Sequence, residues 1–412
     1  MARKMKDSGI EWIGEIPEGW ELTKVKRIFD IGRGRVISQQ ELTSVGYPVY
    51  SSQTKNNGCL GYISTYDFDK SQLTWTTDGV NAGTVFLREG KHNCTNVCGT
   101  LAPKNDTNDL RYLKYALEYI AFYHKRADIN GFKIMNNEMA EIELLLPPLF
   151  EQQNIANYLD FKCSQTQSIL EQSLFSIEEY KKLKQAVITQ AVTKGVRGER
   201  EMKDSGVEWI GEIPKEWVCE KIKYATSISR GLFNHRPRND ERYYNGKYPF
   251  IQTGDVANAT KYIVSYSQTL NELGKSVSKE FPKGTLTMTI AANVGDVAIL
   301  NFDAYFPDSV VGFVPNKNIR TLYLFYVFSA MKDEFIRTAI KSTQLNLNID
   351  RVKETFIPVT LNVNEQCEIE NYLESKCAEI DGLIAKKEQL VKELESYKKS
   401  LIYEVVTGNR EV

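Results

Sequence analysis

The chain contains one introductory segment twice. "MKDSGIEWIGEIPEGW" begins at Met5, and "MKDSGVEWIGEIPKEW" begins at Met202, 197 residues later. Extended to Lys26 and Lys223, the alignment has 15 identities in 22 positions, and both tryptophans of each copy are among them. An internal repeat of this length constrains the architecture strongly, because each copy must be accommodated in an equivalent structural setting. The sequence therefore predicts a duplicated fold.

A second repeat follows each middle region. "EQQNIANYLDFKC" at 151–163 corresponds to "EQCEIENYLESKC" at 365–377, at an offset of 214. The same offset, without a gap, pairs Ile188 with Ile402 and "VT" at 192–193 with "VT" at 406–407. Because the two offsets differ by 17 residues, the second middle is longer than the first. The chain is interpreted as a tandem duplication with a variable insert.

Composition limits the class of protein. A length of 412 residues favours two or three domains, and the apolar and charged fractions are those of a globular protein. No apolar stretch reaches the ~18 residues of a spanning helix, and the N-terminus lacks the apolar core of a signal peptide. Seven scattered cysteines favour a reducing environment, so we expect a cytoplasmic protein without membrane contact. Since the net charge is −1, any nucleic-acid contact must depend on local charge.

The second repeat predicts two long helices. The range 151–192 contains neither Pro nor Gly, and the range 365–406 contains only Gly382. Apolar positions spaced by four and three residues predict a heptad seam. In the second helix the predicted seam is Ile369, Leu373, Lys376, Ile380, Leu383, Lys387, Leu390, Leu394, Tyr397 and Leu401. In the first helix it is Ile155, Leu159, Lys162, Thr166, Ile169, Ser173, Ser176, Tyr180, Leu183 and Val187. We expect the two helices to pack on each other; the alternative is two separate surface helices, each packed on its own domain.

The middle regions have the pattern of mixed α/β domains. In the first, short strand-like runs precede a helical pattern at 111–127; in the second, similar runs precede a helical pattern at 321–340. Turn formers recur, with Asn81-Ala-Gly83 matching Asn293-Val-Gly295, whereas the polar residues differ. We predict globular domains at 1–150 and 201–362, a helix with a linker at 151–200 and a helix at 363–412.

Catalytic and cofactor motifs are weak in this sequence. "GKS" at 274–276 lacks the first glycine of a phosphate-binding loop, since residue 269 is Thr. "FDIGRG" at 29–34 contains only a short glycine pattern. His92, Cys94 and Cys98 have a spacing that could suit zinc, but no second cysteine pair accompanies them, so buried thiols are favoured. The sequence indicates a binding protein with no catalytic residue, metal or cofactor of its own.

The two "EWIGEIP" segments, combined with the helices that begin "EQQNIANYLD" and "EQCEIENYLE", resemble the specificity subunit of type I restriction–modification systems. The resemblance covers essentially the whole chain. It implies an α+β fold in which two pseudo-symmetric globular target recognition domains are separated by two long antiparallel helices, a coiled-coil spacer. It also implies that each domain reads one half of an asymmetric, bipartite site in double-stranded DNA.

The resemblance further implies that the paired helices set the spacing and dock two modification subunits, with restriction subunits joining through the complex. Catalysis then belongs to the partners, which would hold S-adenosylmethionine, ATP and Mg²⁺.

Side chains that suit phosphates and base edges occur at corresponding places in both middles. The first middle contains Arg33, Arg35, Gln53, Lys55, Asn56, Asn57, Lys125, Arg126, Asn130 and Lys133. The second contains Arg230, His235, Arg236, Arg238, Gln252, Thr253, Lys341, Thr343, Gln344 and Asn346. The polar segment that follows each domain helix is the first candidate for DNA contact.

Two other classes of function remain open at this stage. One is a coiled-coil scaffold that presents two binding domains to protein or glycan partners. The other, less favoured because no cofactor loop is evident, is a stand-alone DNA methyltransferase-type enzyme. DNA binding at two salt concentrations and S-adenosylmethionine binding would distinguish these classes.

Overall fold

The computed structural model describes residues 3–10, 13–129, 131–341 and 345–412, without the side chains of Ile340, Lys341 and Leu345. The chain forms two compact units, and two long helices contribute to both. Unit 1 comprises Met1–Leu174 and Glu388–Val412, and unit 2 comprises Phe175–Lys387. None of the described helices is long and apolar enough to cross a membrane.

Unit 1 is organised around a four-stranded antiparallel sheet. Its strands, in spatial order, are Phe29–Arg33, Cys98–Pro103, Gln72–Thr76 and Val85–Arg88. The domain helix of unit 1, Leu110–His124, packs on this sheet and buries Tyr112, Leu113 and Leu117 among other residues. The Asp109 side chain accepts hydrogen bonds from the Arg111 and Tyr112 amides, so the helix begins with a capped N-terminus.

Smaller elements surround this sheet. One three-stranded sheet contains Asn93–Cys94, Tyr47–Tyr50 and Cys59–Ile63, and another contains Arg126–Asp128, Gly131–Lys133 and Asp78–Gly79. Two-stranded pairs join Met5–Asp7 with Glu15–Pro17, and Glu21–Lys24 with Glu143–Leu146. The short helices are Val25–Ile28 and Asn136–Glu141, with 3₁₀ turns at Gln39–Glu41 and Lys55–Gly58.

Unit 2 repeats this plan with additions. Its main sheet has the strands Thr226–Arg230, Val310–Pro315, Leu286–Thr289, Val297–Leu300 and Tyr262–Ile263, in that spatial order. A four-stranded sheet contains Gln268–Leu270, Tyr244–Phe250, Ala304–Tyr305 and Glu280–Phe281. The paired short strands are Met202–Asp204 with Glu212–Pro214, Val218–Lys221 with Phe356–Val359, and Ile340–Lys341 with Leu345–Asn346. The helices are Ile222–Ala225, Thr253–Asn258, Glu272–Ser276, Thr321–Ala330, Lys332–Thr338 and Ile349–Glu354, with a 3₁₀ turn at Glu241–Tyr243.

The domain helices differ from their predicted bounds. The first ends at His124 rather than continuing to 127, because Arg126 already belongs to a strand. The single helix predicted at 321–340 is wrong: it is two helices, Thr321–Ala330 and Lys332–Thr338, with Met331 between them. Met331 is fully buried, so the helix break lies against the core, where tertiary packing overrides the continuous apolar pattern.

Two long helices, Leu149–Lys194 and Val363–Val406, confirm the predicted helical repeat. Within unit 1 the beginning of the first packs with the end of the second, through Ile155, Leu159, Leu401 and Val405. Within unit 2 the end of the first packs with the beginning of the second, through buried side chains that include Ile188, Val192, Ile369 and Leu373. Each unit therefore contains an antiparallel helix contact, and the α+β fold class is confirmed.

The predicted seam was wrong at several positions in the middle of each helix, whereas Thr166, Ser173 and Ile380 are buried as predicted. Ile169 and Leu183 in the first helix and Lys376, Leu383 and Tyr397 in the second are exposed. Cys163, Leu170 and Ile177 in the first helix and Cys377 in the second are buried, and each lies one residue after a predicted seam position. In each helix the first three buried positions of the seam are spaced by four residues and again by four residues. The reason is that an α-helix has 3.6 residues per turn, so that a strict heptad spacing drifts away from the contact face. The two helices still share one register at the offset of 214.

The two sequence repeats contact each other inside each unit. In unit 1 the buried Trp20 donates its indole N–H to Glu151 Oε2 at 3.0 Å, and in unit 2 Trp217 donates to Glu365 Oε2 at 3.1 Å. The next residue, Gln152 or Gln366, accepts from a backbone amide at the start of the domain helix, at 2.9 and 2.8 Å. The "EQ" pair thus joins the introductory segment, the domain helix and the long helix, which explains why the two motifs recur together.

Candidate nucleic-acid interface

Three polar segments of unit 1 lie next to one another. The hairpin formed by Arg126–Asp128 and Gly131–Lys133 pairs with the turn at Asp78–Gly79. That turn reaches the preceding loop, because Asn81 Nδ2 donates to Thr54 Oγ1 at 3.3 Å. The structure therefore brings the loop around residue 55, the turn at 78–84 and the hairpin after the domain helix into one connected polar region.

The loop at Lys55–Gly58 has an unusual backbone. Asn56 and Asn57 both have left-handed conformations, with φ values of 50° and 52°. Asparagine tolerates this region better than most residues because its short polar side chain can hydrogen-bond locally. Lys55, Asn56 and Asn57 are exposed, whereas Gln53 is half-buried and donates to the Cys59 carbonyl. The loop thus presents one ammonium and two amides to solvent.

Three of the six predicted cations of unit 1 have carboxylate partners. Arg35 Nε lies 3.1 Å from Asp67 Oδ2, Arg126 Nε lies 2.7 Å from Glu138 Oε1, and Lys133 Nζ lies 2.9 Å from Asp128 Oδ2. The Lys133 ammonium lowers the pKa of the Asp128 carboxyl below its ordinary value.

Two further cations are held differently. Arg33 donates through Nε to Asn136 Oδ1 at 3.1 Å, and the Lys125 ammonium lies 4.0 Å from the centre of the Phe122 ring. Arg33 is exposed and has no carboxylate partner among the described residues.

In unit 2, Asp308 connects the predicted arginines. Its carboxylate pairs with Arg238 and, at 3.7 Å, with Arg236 Nη2, and its backbone carbonyl accepts from Arg230 Nε at 2.5 Å. Arg236 also donates to the Phe233 and His235 carbonyls at 2.6 and 2.8 Å, so it has backbone acceptors of its own. Three of the predicted phosphate-binding residues are thus gathered at one half-buried aspartate, two at its carboxylate and one at its backbone carbonyl.

Three other candidates of unit 2 are partly buried by contacts within the protein: His235, Gln252 and Thr253. The His235 ring stacks on Tyr243 at 4.0 Å and contacts Asp240 Oδ2 at 2.9 Å, and Arg242 and then His235 hold the pKa of Asp240 well below its ordinary value. Gln252 donates to Gln268 Oε1 at 2.9 Å and precedes the helix that begins at Thr253. These side chains are half-buried, which reduces the surface that each could offer to DNA.

The segment after the domain helix of unit 2 also forms a short hairpin. Asn346 is exposed there and forms an isolated backbone bridge with Ala291 in the turn at 290–296. Among the other candidates, Asn130, Thr343 and Gln344 lie outside the described residues, as does the side chain of Lys341. In both units, therefore, the hairpin is attached to the turn that contains Asn81 or Asn293.

Several residues of these surfaces were missed from the sequence. Predicted cations are bound by the carboxylates of Asp67 and Asp308 and by the amide of Asn136. The sequence did not point to the two acidic residues, because carboxylates are not a residue type that suits DNA contact. Val80 and Ile129 are among the most exposed apolar side chains of unit 1, at 76% and 97%. Their only sequence signal is proximity to turn residues.

The weak motifs have structural explanations. Gly34 approaches the backbone so closely that an added Cβ would lie 2.0 Å from the Cys94 carbonyl oxygen, so this glycine belongs to a close strand contact rather than to a cofactor loop. Cys94 and Cys98 are buried thiols, and His92 is buried against Gln72 and Phe68. Across the described ranges, no group of three or more His, Cys, Asp or Glu side chains is arranged to hold a metal ion.

Two copies of one scaffold with different exposed polar loops, each joined to long helices, define a duplicated recognition protein. The family model for the type I restriction modification DNA specificity domain matches residues 17–179 and 228–393. The chain therefore belongs to the type I restriction–modification DNA specificity family. In this family it is the component that confers DNA specificity, acts within the restriction–modification complex and does not perform the catalysis.

Individual relatives agree with this assignment. A putative type I specificity subunit of Mycoplasma pneumoniae is 28% identical over 343 residues, covering 81% of this chain and 84% of the relative. A putative type I restriction enzyme specificity subunit of Methanocaldococcus jannaschii is 25% identical over 426 residues, covering 96% and 95%.

Two solved structures share the fold. A chain from a study of complex assembly and conformational transition in a type I restriction–modification system aligns with a TM-score of 0.73 at 13% identity, covering 96% of this chain and 99% of the other. The HsdS subunit of Thermoanaerobacter tengcongensis aligns with a TM-score of 0.51 at 14% identity, covering 96% and 98%.

Proposed function

We propose that the chain recognises a bipartite, asymmetric DNA sequence, with one half read by the domain at 1–150 and the other by the domain at 201–362. The observation that carries this proposal is the contrast between scaffold and surface. The domain helices, the main sheets and the Trp–Glu contacts repeat, whereas the exposed polar loops do not. Two domains with different donor and acceptor patterns recognise different base sequences.

The loops differ in both conformation and chemistry. Unit 1 presents a left-handed turn with Lys55 and two asparagines, while the corresponding part of unit 2 is the helix Thr253–Asn258. In unit 1, Arg35 pairs with Asp67. In unit 2, Arg230, Arg236 and Arg238 all contact Asp308. The predicted arginines and lysines supply phosphate contacts, and the predicted Asn, Gln and Thr residues supply base contacts.

The two long helices dock two copies of the modification subunit, which carries S-adenosylmethionine and methylates the DNA. Restriction subunits, which use ATP and Mg²⁺, join through that complex. A duplicated surface naturally accepts two copies of one partner, and the helices carry much of what the two halves of this chain share.

The proposal is tested by mapping methylation in a library of duplexes treated with the chain assembled with its modification subunits. We expect two unrelated half-sites at a constant separation. Exchange of residues 1–150 for the corresponding domain of a relative should change one half-site and leave the other unchanged. A palindromic target, or loss of both half-sites after a single exchange, would contradict the assignment.

A further inference from the structure

One arginine of unit 1 is buried beneath the exposed Lys55–Gly58 loop. Arg88 is 1% exposed, at the end of the strand Val85–Arg88. Its guanidinium lies 3.6 Å from the centre of the Tyr50 ring and 4.3 Å from that of Phe86. Arg88 forms no ion pair with any carboxylate in the described part of the chain, and its Nη2 has no hydrogen-bond partner there. A buried charge without a counter-ion is costly, so its retention calls for a physical reason.

The hydrogen bonds of Arg88 connect the sheet with the loop. Nε donates to Thr74 Oγ1 at 3.0 Å within the sheet, and Nη1 donates to the Asn57 carbonyl at 2.7 Å. Asn57 is one of the two left-handed residues of the loop. Hydrogen bonds from a charged donor are stronger than neutral ones, and the rigid guanidinium fork fixes the direction of both bonds.

The loop is also shaped to accommodate Arg88. A Cβ added to Gly58 would lie 2.8 Å from Arg88 Nη2, and Gly58 has a φ of +78°. The Ser51 amide donates to the Gly58 carbonyl at 3.0 Å, which closes the loop over the guanidinium. Thus the loop backbone, the glycine and the buried arginine form one packed arrangement.

Unit 2 provides an internal comparison. The strand registers Trp75↔Val85 and Met288↔Val297 place Arg88 and Leu300 at equivalent positions. Leu300 is likewise 1% exposed, but it packs in an apolar cluster.

The corresponding segment of unit 2 is stabilised by its own side chain, since Asp255 Oδ2 accepts from the Gln252 amide at 2.7 Å at the start of the helix Thr253–Asn258. Unit 1 therefore combines a buried arginine with a left-handed loop, whereas unit 2 combines a buried leucine at the equivalent strand position with a helix that caps itself.

We propose that Arg88 is a positioning residue for DNA specificity, which holds the Lys55–Gly58 loop in its left-handed conformation and so sets the first half-site. This inference rests on the proposed function, because it requires that loop to contact DNA. Arg88 itself lies below the surface and does not reach the bases.

The test uses Arg88→Leu, which installs the residue found at the equivalent position of unit 2, in the full chain assembled with its modification subunits. Binding to a panel of single-base variants of both half-sites should show at least a tenfold loss of discrimination in the first half-site and none in the second. Hydrogen exchange at the Ser51 and Cys59 amides should accelerate. Arg88→Lys, which keeps the charge and one donor, should restore part of the discrimination.

Val85→Ala is the matched control, because it removes buried volume from the same strand without contacting the loop. It should lower stability and leave discrimination unchanged. Full discrimination by Arg88→Leu would overturn the proposal. If Arg88→Leu does not fold, Arg88→Lys decides: wild-type exchange rates and wild-type discrimination in that variant would refute the positioning role.

Lys55→Ala and Asn56→Gly separate this inference from the proposed function, because glycine removes the amide and still tolerates the left-handed conformation. If neither changes discrimination, the loop does not contact the bases, and that part of the proposed surface is wrong. The exchange rates of Arg88→Leu still show whether Arg88 orders the loop. If the loop variants lose discrimination and Arg88→Leu does not, only the positioning role is wrong.

Discussion

At the scale of single residues, several side chains that are predicted to contact DNA form ion pairs with acidic residues. Asp67, Glu138, Asp128 and Asp308 pair with cations that the sequence assigns to DNA. An ion pair at the surface is worth only about 0–1 kcal/mol, so a phosphate can replace the carboxylate at little cost. We therefore expect these carboxylates to lower non-specific attraction to DNA more than they prevent specific contact.

Asp308→Asn should therefore increase non-specific DNA binding. Arg238 loses its charged partner, whereas Arg236 remains bonded to two backbone carbonyls. We expect tighter binding to random duplex and a log–log salt slope that is more negative by about 1, the contribution of one added phosphate contact. Binding titrations at several salt concentrations measure both quantities.

Glu241→Gln is the control, because Glu241 is exposed and has no ion pair to a described residue. In the double variant Asp308→Asn/Arg238→Ala the gain should disappear. A gain that persists without Arg238 would show that the effect has another origin.

At the scale of elements, the junction between the introductory segment and the long helix is a polar contact that occurs in both units. In unit 2 the carboxylate of Glu365, 1% exposed, accepts from Arg200, Trp217 and Thr360 at 2.6, 3.1 and 2.9 Å. In unit 1, Glu151 is more exposed and accepts from Arg3 and Trp20. The same motif is thus buried to different depths.

Glu365→Ala should lower the free energy of unfolding by about 3–5 kcal/mol, because it leaves the buried Trp217 and Thr360 donors without this acceptor and removes the buried charge partner of Arg200, which retains Glu216. Glu151→Ala should cost less, since the side chains of Glu151 and of its charged partner Arg3 are partly exposed to solvent. Chemical denaturation of each variant, followed by circular dichroism, gives the comparison. Equal losses would show that burial does not determine the strength of this junction.

A second repeated contact predicts a pH dependence. Lys221 and Lys223 hold the pKa of Glu354 at about 2, as Lys24 and Lys26 do for Glu141. A carboxyl whose pKa is lower in the folded state stabilises the fold above its unfolded pKa, and this contribution is lost as pH falls toward the folded pKa. The affected window therefore extends from about pH 4.5 down to about pH 2.

Glu354→Gln should remove the contribution of this group, so thermal stability of the variant should fall less steeply between these pH values than that of the wild type. Melting temperatures measured across the acid range test this. Glu220→Gln, on the neighbouring strand, serves as the control because Glu220 forms no ion pair with a described residue. Parallel pH profiles for wild type and Glu354→Gln would contradict the expectation.

At the scale of the whole molecule, the long helices connect the two units and expose much of their surface. The first helix carries exposed charges such as Glu178, and the second carries Lys392. Exposed, unlike charges at a protein interface steer association and favour correct partners.

Charge reversal by Glu178→Lys and Lys392→Glu should weaken assembly with modification subunits while leaving the fold unchanged. Size-exclusion chromatography with mass measurement follows the stoichiometry, and circular dichroism verifies helix content. Glu89→Lys, an exposed reversal away from the helices, should assemble normally. Assembly that is indifferent to changes on both helices would remove them as the docking surface.

The sequence by itself determined the duplication, the positions of the two long helices and some of the strands. These features follow from patterns that are local or repeated: turn residues such as Asn81-Ala-Gly83, strand alternation, and helical ranges without Pro or Gly. The residue types suited to DNA were also evident, because Arg, Lys, Asn and Gln carry their chemistry with them. Which of these residues contact DNA stays a prediction.

Only the tertiary structure decided which side chains act together. The partners Arg88 and Asn57 are 31 residues apart, and Arg238 and Asp308 are 70 residues apart, so no local pattern links them. The break at Met331 and the shift of the helix seam to Cys163 and Leu170 likewise depend on what packs against each face. Periodicity specifies a face to within about one residue, whereas close packing selects the residue that is buried.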